Sequence, residues 1–94
     1  MAARYDTEIP ICRLQNGVDL LERVSPDARL LALKNLVINN GGVWPIPELP
    51  ELHPPVWYEV QLFGVTAVAE EKDLLPVRWI KAAKTAIAAL QEAA

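Results

Sequence analysis

Five of the eight prolines and two of the three tryptophans of this 94-residue chain fall between Trp44 and Trp57, in the run WPIPELPELHPPVW. Each proline holds φ near −65° and lacks an N–H, and the residue before it is pushed toward extended conformations. Pro45 to Pro55 are therefore excluded from helix and from a central strand. The stretch is predicted to run as a stiff extended arm of about 30 Å, at roughly 3.1 Å per residue. Ile46, Leu49, Leu52 and the flanking Trp44 and Trp57 are the side chains able to pin it to a body, and burial of either tryptophan would contribute several kcal/mol as an upper bound.

On either side of the arm the patterning changes. Residues 1–13 read as a loose arm or edge strand, because Ile9, Ile11 and Arg13 alternate with Pro10, Cys12 and Leu14. Asn16 is placed to cap a first helix of about eight residues carrying Val18, Leu21 and Val24, with Asp19 in its first turn. Ser25-Pro26-Asp27 is the strongest start signal, with serine at the N-cap, proline at the first helical position and an acid beside it. Apolar positions 30, 31, 33, 36, 37 and 38 cover more than half of that second helix, so it is expected to be largely buried. Asn39-Asn40-Gly41-Gly42 then stops it.

Beyond the arm, residues 56–63 are rich in strand formers and set Val56, Tyr58, Val60 and Leu62 against Trp57, Glu59, Gln61 and Phe63. After Gly64, residues 65–69 are either a bulged continuation or the return leg of a hairpin with Gly64 in a type II′ turn. A helix over 56–70 is the rival reading. Partners available to a strand at 56–63 are residues 65–69, the Val43-Trp44 region or the Ile9–Leu14 piece. Asp73 is the expected N-cap of a last helix to about Gln91, with Pro76 in its first turn and Ile80, Ala83, Ile87 and Leu90 on one apolar face.

The fold class expected is α+β: two N-terminal helices, the proline-rich extended arm at 44–55, a short strand or hairpin, and a long C-terminal helix. An all-α small bundle is the alternative. One domain spans 1–94, and 52% hydrophobic against 22% charged residues places it among globular chains. So apolar a short chain exposes hydrophobic surface that a second subunit can cover.

Net charge −3 is opposite in sign to a phosphate-binding footprint. The first eight residues lack an apolar h-region and no apolar run approaches the ~18 residues of a membrane span, so a cytoplasmic location is expected. Cys12 is the only cysteine, which excludes an internal disulfide and a cysteine-type zinc site within one chain. His53, the only histidine, has no oriented partner in the pattern, and Ser25 is accounted for as a cap. Glu48, Glu51 and His53 are ligand types for a metal, but the proline between them opposes a common geometry. Pro47 and Pro50 match polyproline-ligand spacing without its basic flank. The four glycines are too scattered for a phosphate loop.

No catalytic, metal or cofactor residues are therefore assigned. The expected role is a non-enzymatic protein-interaction or regulatory module that associates with a protein partner or with itself as a homodimer. Its candidate surface is Trp44, Trp57, Phe63, Arg78, Trp79, Lys81 and Lys84. Two alternatives stand beside it: nucleic-acid binding through Arg78, Lys81 and Lys84, which net charge disfavours, and an acidic decoy using Glu48, Glu51, Glu59, Glu70, Glu71 and Asp73.

Overall fold

The computed structural model describes residues 11–46 and 57–93. Most of the proline-rich segment, with Glu48, Glu51 and His53, lies outside the described residues, as do residues 1–10. Trp44 to Ile46, the start of the arm, are described: Trp44 is half-buried and packs on the core, and Ile46 is buried.

Helix α1 covers Ile11–Arg23. It begins five residues before the expected cap, so Asn16 lies exposed inside it and Ile11 to Leu14 are helical, not a loose arm or strand. Leu14, Val18 and Leu21 share one stripe at 4- and 3-residue spacing and all are buried. Burying that stripe outweighs the short local alternation that suggested a strand.

The chain restarts at Ser25, whose extended backbone (φ −60°, ψ 150°) precedes a 3₁₀ turn at Pro26–Ala28 and helix α2 at Arg29–Asn39. The Ser25 carbonyl accepts the Ala28 N–H at 2.9 Å, but its hydroxyl makes no capping bond. Arg29 closes the corner between the helices. Its Nε donates to the Val24 carbonyl at 3.0 Å and its Nη2 to that of Glu22 at 3.2 Å, satisfying carbonyls that α1 leaves over at its C-terminal end. Contrary to expectation, α2 is not largely buried. Only Leu33 and Val37 are, while Leu31 (62%) and Ile38 (58%) face outward. The apolar girdle exceeds what α1, α3 and one strand, its described neighbours, can cover.

The glycines stop α2 as anticipated: Gly41 takes φ 75° and the Gly42 N–H returns to the Val37 carbonyl at 2.9 Å. Gly42 is required for a second reason. A Cβ there would stand 2.2 Å from the Gln61 carbonyl oxygen, so only glycine lets the chain lie against the sheet. Val43 then exchanges both backbone hydrogen bonds with Gln61, at 3.0 and 3.2 Å.

Strands β1 (Tyr58–Leu62) and β2 (Val65–Ala69) form an antiparallel hairpin in the register Tyr58↔Ala69, Val60↔Ala67, Leu62↔Val65. This resolves 58–69 against helix, and the domain is α+β. The turn is not type II′ with Gly64 leading: Phe63 (φ 54°) and Gly64 (φ 77°) are both left-handed, the type I′ pattern. Its twist matches that of the strands, which explains why a non-glycine residue accepts the first position. Val60, Leu62, Val65, Ala67 and Ala69 point inward.

Helix α3, Leu75–Ala93, follows a 3₁₀ turn at Lys72–Leu74. The extended residue ahead of that turn is Glu71, not Asp73, because the tighter turn adds three residues to the helix entrance. Leu75, Trp79, Ile80 and Ala83 are buried. α3 packs most extensively on β2 and next on α1. Trp79 is the centre of that packing. Its indole Nε1 donates to the Leu62 carbonyl at 3.4 Å, and its ring edge lies over Gly17, where a Cβ would come within 3.1 Å of Cη2 and 3.6 Å of the Phe63 ring.

Candidate interaction surface

The structure separates the seven residues singled out as a surface. Trp79 is fully buried, a correction: the indole N–H is satisfied by a strand carbonyl and the ring is core. Phe63 is half-buried against that core and Trp44 likewise. Trp57 is 58% exposed, so it anchors no buried contact.

Arg78, Lys81 and Lys84 do not make one edge. Six helical positions turn the side-chain direction by about 120°, and the outer two cations reach opposite flanks. Arg78 Nη2 meets Glu70 Oε1 at 3.2 Å beside the end of β2, whereas Lys84 Nζ meets Glu22 Oε2 at 2.7 Å beside the end of α1. Lys81, between them, is exposed. Lys84, Lys81 and Thr85 border a shallow groove against Glu22 and Arg29, floored by Ile80 and Val77. The groove therefore carries an acid among its cations, and Arg29 is already spent on backbone carbonyls.

What the fold does bring together is the outer face of the hairpin. Glu59 and Gln61 of β1 stand opposite Val68 and Thr66 of β2, and Val43 opposes Gln61 from the other side. Trp57, one residue ahead of β1, continues the alternation of Glu59 and Gln61. Val43 (50%), Trp57 (58%) and Val68 (43%) are all exposed there. Sequence reasoning named only Trp57. Alternation carried the signal for Val68, but the bridge that adds Val43 depends on a contact across eighteen residues.

The hairpin also leaves an edge. Among the described residues β2 hydrogen-bonds only β1. Gln61 spends its N–H and C=O on Val43, so Gln61↔Thr66 is a non-hydrogen-bonded pair, as is Glu59↔Val68 two positions along. The backbone groups of Thr66 and Val68 consequently point away from β1.

Among the described residues no three of His, Cys, Asp or Glu are grouped so as to hold a metal ion, and Cys12 is exposed on α1. Among the same residues no helix is long and apolar enough to cross a membrane. Comparison of the chain with protein-family models, curated proteins and solved structures gives no match.

Proposed function

We propose that this domain is a non-enzymatic protein-interaction module whose contact surface is the outer face of the hairpin. The observation that carries the reading is that Val43 and Val68, both exposed, flank β1 on the outer face of a sheet whose other side is core, with the exposed Trp57 one residue ahead of that strand. Exposed apolar side chains interleaved with polar ones, here Glu59, Gln61 and Thr66, with an aromatic residue among them, are the mixed composition of a protein contact. Nucleic acid is the less favoured partner, since two of the three cations on α3 already face acids of the same chain.

The test is affinity capture from the native host with mass spectrometry, comparing the unmodified chain with a Val43→Ser/Trp57→Ser variant, each with and without nuclease. A partner retained by the first, lost by the second and indifferent to nuclease is the expected result. Capture that disappears on nuclease treatment transfers the function to nucleic acid. Capture unaffected by the double substitution removes the hairpin face from consideration.

A further inference from the structure

We infer that the edge of β2 that is unpaired among the described residues pairs with β2 of a second copy of this chain, extending two hairpins into one four-stranded antiparallel sheet. The inference names one partner for the hairpin of the interaction module proposed above and rests on that reading. A strand edge presents unpaired N–H and C=O groups, and proteins that keep such an edge solitary blunt it with charge, proline or a bulge. β2 is Val65-Thr66-Ala67-Val68-Ala69. It contains no charge and no proline, and its five residues pair with β1 in continuous register without a bulge.

The geometry selects a copy of itself over another strand. Two β2 strands related by a twofold axis at Ala67 place Thr66 opposite Val68 of the partner subunit, and Val68 opposite Thr66. Those two residues carry the outward backbone groups, so the arrangement forms two reciprocal hydrogen-bonded pairs, four bonds in all. Both cross-strand pairs join one threonine to one valine, β-branched neighbours that pack well on a pleated surface. Charge is also accommodated. The register sets Glu70 opposite Gly64 and Glu71 opposite Phe63, so acid does not meet acid, and the two Glu70 residues lie about 20 Å apart along the strands, beyond the screening length of physiological salt. Such a twofold contact closes on itself and yields a dimer, not a fibre.

Light scattering of the unmodified chain at tens of micromolar is expected to give twice the monomer mass. Thr66→Lys/Val68→Lys puts lysine opposite lysine across the axis and is expected to halve that mass, while Thr66→Lys/Val68→Glu puts lysine opposite glutamate and is expected to keep it. Both positions are exposed, and unchanged circular dichroism verifies the fold of each variant. Amide exchange on the unmodified chain supplies a readout that needs no variant: the Thr66 and Val68 N–H groups should be protected at high concentration and lose protection on dilution. A monomeric mass at these concentrations, a lysine–lysine variant that stays dimeric, a lysine–glutamate variant that dissociates, or solvent-rate exchange at both amides would each overturn the inference. A monomer that still captures a partner through Val43 and Trp57 leaves the module intact. A dimer whose captures ignore those residues leaves only the self-association.

Discussion

Three tryptophans occupy three environments, and their substitution costs should separate accordingly. Trp79 is fully buried with its N–H on the Leu62 carbonyl, so Trp79→Ala should cost roughly 3–5 kcal/mol in chemical denaturation. Trp57, 58% exposed, should cost less than about 1 kcal/mol on the same change, since little area leaves water; a loss near that of Trp79 would place its ring in a packed site. Gly42 offers a sharper test. An added Cβ meets a backbone oxygen at 2.2 Å and Val37 Cγ1 at 3.0 Å, and a backbone atom in a paired strand cannot turn aside as a side chain does. Gly42→Ala should destabilise by about 2 kcal/mol and release the Val43–Gln61 bridge, visible as faster exchange of those two amides. Unchanged stability would show that the segment can lift off the sheet. Neither the close approach at Gly42 nor that of Gly17 to Trp79 was legible locally, because each is a contact with a residue far along the chain.

Elements here are joined by residues that do not belong to their apolar stripes. Arg29 carries no local sign of a tertiary role, yet it bonds two carbonyls at the C-terminal end of α1. Arg29→Ala should cost about 1–2 kcal/mol, the worth of charge-assisted bonds at a helix C-terminus. Arg29→Lys should restore only part, because an ammonium lacks the planar fork that spans both carbonyls. The hairpin turn sets two effects against each other. Phe63 packs on the core but sits at φ 54°, a region that costs a non-glycine residue roughly 1 kcal/mol and that asparagine tolerates best. Phe63→Asn should therefore be more stable than Phe63→Ala by about 1 kcal/mol; equal stabilities would mean the turn exerts no conformational demand. The starts of α2 and α3 were legible to within a turn from Ser25 and Asp73, and alternation separated Tyr58, Val60 and Leu62 from Glu59 and Gln61, although Phe63, grouped with the latter pair, packs on the core. The extent of α1 was not, because the buried stripe of Leu14, Val18 and Leu21 is recognisable only with the surfaces it packs on.

At the scale of the whole molecule, cohesion is apolar. Among the described residues every side chain of the buried core cluster is hydrophobic, and the Arg78–Glu70 and Lys84–Glu22 pairs lie on the surface, with Lys84 57% and Glu22 43% exposed. Glu22→Gln should cost no more than about 0.5 kcal/mol at low salt, with the difference vanishing as ionic strength rises. A larger, salt-insensitive loss in thermal or chemical unfolding would show that the pair seals the groove between α1 and α3. The apolar surplus predicted from composition is spread over the described residues: Leu20 on α1, Leu31 and Ile38 on α2, Val77 on α3, and Val43, Trp57 and Val68 at the hairpin. Composition could say that surface would be left over, but not where.

Period and punctuation determined much of this protein in advance. The α+β class, the order of elements, the glycine stop after α2 and the separation of Tyr58, Val60 and Leu62 from Glu59 and Gln61 in β1 all follow from spacings within a few residues, since backbone preferences and side-chain direction are local properties. Tertiary packing decided the rest. Which tryptophan became core, how far α1 extends, that Val43 joins the hairpin face and that the cations of α3 part company toward Glu70 and Glu22 each depend on which surfaces meet. That choice is made by the total area removed from water, a sum over the whole chain that no short window contains.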